Sequence, residues 1–143
     1  MAHYGLSAAM AASGASQSNI RDWQSRGYFG GGLSSTGRGR ARRYSTETIY
    51  ELALMKYLSD LGLTPRLGGH AVGDDIGGKL LRATGHTVML CYPSAPGASR
   101  HVRPGGIEAD ALFRHGPVVV AIDTEAIRES VDAKLAEFEP LPD

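Results

Sequence analysis

The sequence contains very little cysteine and no long apolar stretch, and both features limit the classes of protein to which it can belong. Its single cysteine, Cys91, has no partner for a disulfide within the chain, and we interpret it as a buried thiol in a reducing compartment. No apolar run approaches the ~20 residues that span a bilayer. The N-terminal stretch MAHYGLSAAMAASGAS lacks a basic leader and a sustained apolar core, so we expect no signal peptide. We therefore expect a cytoplasmic protein rather than a secreted or membrane protein.

Residue types that bind metals or catalyse reactions are present, but they are not arranged for either task. No two of the five histidines and Cys91 have the spacing of metal ligands, so we expect no metal and no cofactor. No Ser/His/Asp order, phosphate-binding loop or pair of carboxylates stands out. The sequence therefore does not predict an enzyme.

The charges balance overall but are unevenly distributed along the chain. Residues 1–66 contain eight basic and four acidic residues, a net charge of +4, whereas residues 67–143 contain seven basic and eleven acidic residues, a net charge of −4. This asymmetry indicates a first half that binds a polyanion and an acidic second half with another task.

The first half begins with a pattern typical of two short helices. The stretch LSAAMAAS predicts a helix over residues 6–13, with Ser7 as its N-cap and Gly14 as its terminator. A second helix is predicted from the N-cap Ser16 to Gly27, with Ile20 and Trp23 on its buried side. Two short helices joined by a glycine-containing turn form a helix-turn-helix.

A basic hairpin and a longer helix are predicted next. Residues 28–29 and 42–44 read as two extended arms around a glycine-rich tip, and four arginines lie within six positions: Arg38, Arg40, Arg42 and Arg43. Ser45 then opens a helix that ends at Gly62, with Glu47 in its first turn. We interpret Glu47 and Glu51 as solvated or capping residues. The apolar stripe of this helix contains Ile49, Leu52, Leu54, Met55, Leu58 and Leu61.

The second half predicts a small α/β module. A glycine-weakened helix is expected over residues 71–85, and the stretches HTVMLCYP and PVVVAID predict strands. The segment between these strands is expected to be mostly loop, with a helical turn near residues 108–113. The last helix, over residues 124–139, carries its apolar stripe on Ile127, Val131, Leu135 and Phe138. The predicted fold class is α+β: a winged helix-turn-helix domain over residues 1–66, followed by an α/β module over residues 67–143.

This order of elements resembles the DNA-binding domain of the MerR family, a winged helix-turn-helix. The resemblance rests on GASQSNIRDWQSRGYF, on the basic pair and cap in RRYS, and on the helix ending in YLSDLGL. It covers residues 4–64. The family's usual long coiled-coil dimerisation helix is absent after Gly62. We therefore expect residues 67–143 to form a homodimer contact through the two predicted strands and the stripe of the last helix.

Several side chains are predicted to contact double-stranded DNA. Polar residues at the start of the second helix suit base edges in the major groove, where Arg pairs with guanine and Asn or Gln with adenine. The hairpin arginines suit phosphates or the minor groove. Trp23 and Tyr44 are expected mainly in the core, although the Tyr44 hydroxyl could also reach DNA. The predicted contact residues are Ser16, Gln17, Ser18, Asn19, Arg21, Arg26, Arg38, Arg40, Arg42, Arg43 and Tyr44.

These features predict a sequence-specific, homodimeric transcriptional regulator that acts at the nucleoid. Two alternatives remain open at this point. One is an excisionase-like factor that bends DNA for a recombinase, although the acidic second half counts against it. The other is an antitoxin-type protein whose second half binds a partner protein.

Overall fold

A computed structural model describes residues 2–26, 42–63, 88–92, 100–102, 112–114 and 116–142. Four helices and five strands lie within these ranges, and none of these helices is long and apolar enough to cross a membrane. In chain order the elements are β1 (His3–Tyr4), α1 (Leu6–Ser13), α2 (Gln17–Ser25), β2 (Tyr44–Ser45), α3 (Thr46–Asp60), β3 (Val88–Cys91), β4 (Arg100–Val102), β5 (Val120–Asp123) and α4 (Thr124–Leu135).

Some of the predicted features lie outside the described residues. These are the hairpin arm at residues 28–29, the tip with Arg38 and Arg40, the helix over residues 71–85, and all but the last two positions of the turn near residues 108–113.

The helix-turn-helix forms as the sequence predicts, except at the start of α1. The N-cap of α1 is Gly5, and Ser7 is exposed within the first turn, so the prediction of Ser7 as cap is wrong. The other end matches, because Gly14 adopts the left-handed conformation with φ of 78° and donates its N–H to the Met10 carbonyl at 2.9 Å. The short side chains of α1 allow close packing, and its buried residues are Ala8, Ala9, Ala12 and Ser13.

Helix α3 is the central element of the core. Its N-cap Ser45 accepts a hydrogen bond from the Thr48 N–H at 3.1 Å, which confirms the predicted start. The predicted stripe is buried, except that Leu61 is 67% exposed because the helix ends at Asp60. The interpretation of Glu51 as a solvated residue is also wrong, since it is only 8% exposed.

Strand β2 pairs with a strand that the sequence pattern does not reveal. His3 lies opposite Ser45 and Tyr4 opposite Tyr44 in an antiparallel ladder. Each strand has two residues, too few for an alternating pattern to appear. This ladder joins the start of the chain to the segment that leads out of the predicted wing.

The second half contains a three-stranded antiparallel sheet in the order β4-β3-β5. Strands β3 and β5 confirm the two predicted strands. Strand β4 lies where a loop was predicted, so the prediction is wrong at these three residues. The short sequence RHV gives no alternation of apolar and polar side chains long enough to indicate a strand.

Helix α4 completes the core formed by α1 and α3. It ends four residues earlier than predicted, and its N-cap Asp123 accepts a hydrogen bond from the Ala126 N–H at 3.0 Å. Three residues of its stripe, Ile127, Val131 and Leu135, are buried in one cluster with α1 and α3, and Phe138 packs against that cluster. The stripe is therefore covered within the chain, and not by a second copy as the sequence analysis expected.

Candidate nucleic-acid interface

The N-terminus of α2 is fixed by a reciprocal pair of hydrogen bonds. The Ser16 hydroxyl accepts from the Asn19 N–H at 3.0 Å, and the Asn19 side-chain oxygen accepts from the Ser16 N–H at 3.2 Å. A bidentate contact to adenine needs both the oxygen and the nitrogen of the amide. The oxygen of Asn19 already accepts one of the two hydrogen bonds that an amide oxygen can accept. Ser16 and Asn19 therefore fix the start of the helix, and their contact with DNA stays a prediction.

The outward face of α2 carries polar side chains that are available to a ligand. Ile20 and Trp23 point into the core, which leaves Gln17, Ser18 and Arg21 exposed on the opposite side. None of these three side chains has a hydrogen bond or ion pair to another residue in the described part of the chain. Their donors and acceptors can therefore be directed at base edges without first breaking such a contact.

Arg26 forms an ion pair on the surface of α2. Its Nε lies 3.0 Å from the Asp22 carboxylate, and the two side chains are 61% and 52% exposed. An exposed pair of this kind contributes at most about 1 kcal/mol. The pair reduces the negative charge that Asp22 would otherwise present to a phosphate.

Arg42 extends the basic surface of α2 from the side. Its Nη1 donates to the Gln24 side-chain oxygen. A cavity of about 230 Å³ opens between α2 and this segment and has both Arg21 and Arg42 in its lining. A neighbouring cavity of about 410 Å³ is lined by Arg21, Gln24, Ser25 and Arg42. Two guanidinium groups therefore border the same concave surface.

Gln24 is a residue of this surface that the sequence analysis did not select. It lies on the side of α2 that carries Gln17 and Arg21, at three- and four-residue spacing, so helical periodicity could have indicated it. What the pattern could not indicate is its partner Arg42, which is 18 positions away in sequence.

Arg43 and Tyr44 are placed differently from Arg42. The Arg43 Nη2 donates to the backbone carbonyl of Pro142 at 2.6 Å, on the far side of the segment. Tyr44 is 2% exposed and belongs to the core, as expected for its ring. It also contributes to the lining of the cavity of about 230 Å³, and its additional contact with DNA stays a prediction. Arg38 and Arg40, the remaining predicted contacts, lie outside the described residues.

The described residues show no arrangement for binding a metal. Among them, no group of three or more His, Cys, Asp or Glu side chains lies close enough together to hold an ion. The polar and basic surface beside α2 is the candidate functional site, because Arg21 and Arg42 line the same concave surface there.

A comparison with protein families finds a match in the first half of the chain. The model for the MerR HTH family regulatory protein matches residues 4–66, which include α1, α2, β2, α3 and the second residue of β1. The comparison with curated proteins finds no match. The family match supports a DNA-binding transcriptional regulator. Together with the two helices and their turn, it identifies residues 4–66 as a MerR-like helix-turn-helix DNA-binding domain.

Proposed function

We propose that this protein is a cytoplasmic transcriptional regulator that recognises particular double-stranded DNA sequences, with α2 in the major groove. The observation that carries the proposal is the concave surface on which Arg21 and Arg42 lie together, beside the exposed side chains of Gln17 and Ser18. An α-helix fits the major groove, where each base pair presents a distinct pattern of donors and acceptors.

The two arginines have different tasks in this proposal. Arg21 projects from the helix and has no hydrogen-bonding partner among the described residues, so it is assigned to a base, with guanine as the best match for its paired donors. Arg42 stands on the segment beside the helix and is assigned to a phosphate. The remaining wing arginines, Arg38 and Arg40, are assigned to the backbone or the minor groove on their sequence alone.

The protein is further proposed to act as a homodimer on two half-sites. A single small module buries little DNA surface, and helix-turn-helix dimers gain affinity from half-sites about one helical turn apart. The dimer contact is assigned to residues 67–143. The partner-protein and DNA-bending alternatives rest on sequence considerations alone, and no contact within the described residues favours either of them.

Substitutions at the two arginines test this division of tasks. Arg21→Ala should lower affinity by about 1–3 kcal/mol for duplexes with the preferred base pair and relax the preference there, because a base contact carries sequence information. Arg42→Gln should weaken binding to all duplexes. It should also make the negative slope of log K against log salt less steep, by about 0.9 per lost phosphate contact. Fluorescence anisotropy with duplexes selected from a random pool, and with the unselected pool, measures both effects.

Lys134→Gln provides a matched control, because it removes one positive charge from the exposed side of α4 and leaves α2 intact. It should change neither sequence preference nor salt slope. If wild-type binding were independent of salt, the proposed function would be wrong. If Arg21→Ala and Arg42→Gln gave the same uniform loss, α2 would not be the reading helix.

A further inference from the structure

The segment between the predicted wing and α3 directs two neighbouring arginines to different partners. Residues 42–45 lead into and form β2, and successive side chains of an extended segment point to opposite sides. Arg42 accordingly reaches Gln24 on α2, while Arg43 reaches the Pro142 carbonyl. Both arginines belong to the same basic sequence cluster, but only Arg42 lines the concave surface beside α2.

Residues 139–142, which we call the clasp, follow α4 and contact strand β1 and the residue that precedes β2. The Leu141 N–H donates to the His3 carbonyl in β1 at 2.8 Å, and the Pro142 carbonyl accepts from Arg43, which directly precedes β2, at 2.6 Å. The clasp thus connects the segment after the C-terminal helix to the segment from which Arg42 projects.

The composition of the clasp suits it to be a fixed support. Pro140 and Pro142 have restricted φ angles, so this segment loses less backbone entropy than an ordinary one when it becomes ordered. Proline also lacks an N–H group, so Leu141 has the only backbone donor in the sequence PLP, and that donor is bound to His3. The charged donor of Arg43 strengthens the second contact.

We propose that Arg43 and the clasp are positioning elements for DNA binding, and that Arg43 is not itself a DNA contact. Through the contacts of the clasp with β1 and with Arg43, they fix the segment so that Arg42 lies against α2. This inference rests on the proposed function, since it concerns the arrangement of the same DNA-binding surface. It gives the clasp, which lies outside the family match over residues 4–66, a positioning role in that surface.

Two substitutions in the full-length protein separate positioning from contact. Arg43→Gln removes the guanidinium, and Leu141→Pro removes the N–H that binds His3. Each should weaken binding to a random-sequence 30-base-pair duplex by about two- to tenfold, the effect of losing one hydrogen bond. Neither should change the salt slope, because no phosphate contact is lost. The double variant should bind no more weakly than the weaker single variant, because both act through one unit.

Leu141→Ala is the matched control, since it keeps the N–H and should bind like the wild type. Arg42→Gln is the reference for a lost phosphate contact. A salt slope lowered by Arg43→Gln as much as by Arg42→Gln, or losses that add in the double variant, would overturn the inference while leaving the proposed function intact. A wild type that does not bind the duplex would refute both. If Leu141→Pro does not fold, as judged by circular dichroism, the salt slope of Arg43→Gln decides alone.

Discussion

At the scale of a single residue, Gly14 forms the turn between the two helices of the DNA-binding motif. Its φ of 78° lies in the left-handed region, and a Cβ atom built there would lie 3.7 Å from the Lys56 Cγ, which is an ordinary contact. The site therefore has room for a methyl group, and the requirement for glycine comes from the backbone alone.

Gly14→Ala should lower the free energy of unfolding by about 1 kcal/mol, the cost of a left-handed alanine. Gly14→Asn should cost less, because asparagine tolerates this conformation better. Chemical denaturation of the full-length variants measures both changes.

Gly5→Ser is the contrasting substitution, because Gly5 has φ of −79° and ψ of 177°, close to the angles of the N-cap Ser16. It should be neutral or stabilising, since serine is a good N-cap. Equal losses at Gly5 and Gly14 would contradict the assignment of the cost to the left-handed backbone.

Tyr50 couples the two halves of the chain through a single hydroxyl group. Its hydroxyl donates to the Asp132 carboxylate at 2.6 Å. Burial, followed by the hydrogen bond and the negative charge of Asp132, raises the pKa of Tyr50 well above its ordinary value. The folded chain therefore keeps the phenol proton at pH values at which the unfolded chain loses it.

This difference predicts how stability depends on pH. The contribution of Tyr50 is fully present below its unfolded pKa of about 10 and declines as the pH rises above that value, by up to about 1.4 kcal/mol per pH unit. Tyr50→Phe should cost about 1 kcal/mol at neutral pH through the lost hydrogen bond. The same variant should also lose stability less steeply than the wild type above pH 10.

Urea denaturation between pH 7 and pH 11 tests this expectation. Tyr57→Phe is the matched change at a half-exposed tyrosine on the same helix and should leave stability at neutral pH unchanged. Parallel alkaline profiles for the wild type and Tyr50→Phe would show that Tyr50 does not carry the effect.

At the scale of elements, helix ends follow local chemistry and could be predicted from the sequence. Ser16 and Ser45 each accept a hydrogen bond from an N–H three residues later, a local arrangement that a sequence pattern records. Strands β1 and β4 were missed because two or three residues show no periodicity and their pairing depends on distant segments. The end of α4 was predicted four residues late, because Phe138 packs against the core from outside the helix and so continues its apolar pattern.

The residues of the candidate site also fall into two groups: those that a sequence pattern predicts and those whose placement depends on distant contacts. Gln17, Ser18 and Arg21 follow from the exposed face of one helix, which periodicity predicts. The separation of Arg42 from Arg43 does not, because it depends on Gln24 and Pro142, which are distant in sequence. Within the basic stretch RGRARR, the residue types alone give no reason to separate one arginine from the next.

At the scale of the whole molecule, the shared core of α1, α3 and α4 changes how dimerisation has to be considered. The apolar stripe of α4 is already covered within the chain, so the proposed dimer contact in residues 67–143 would have to lie elsewhere in that half. Val118 is 57% exposed and lies two positions before β5. We propose that the predicted dimer uses this strand region.

The full-length protein should therefore sediment as a dimer at tens of micromolar, and Val118→Asp should shift it toward monomer because a charge replaces exposed apolar surface. Val118→Thr, which keeps the branched shape, should shift it much less. Analytical ultracentrifugation distinguishes these outcomes. A monomeric wild type at that concentration would refute the dimer proposal.

The position of α4 in the core also determines when, during translation, the core that supports the first two helices can be completed. The ribosome makes the buried alanines of α1 roughly a hundred residues before Ile127, Val131 and Leu135, the residues that pack in the same core. At about 5–20 residues per second, this interval lasts on the order of 5–20 s. The helices that we propose to read DNA are therefore synthesised well before α4, which completes their core. We therefore expect a chain that ends before α4 to leave an apolar face open to chaperones and proteases, and the proposed DNA binding to require translation through α4.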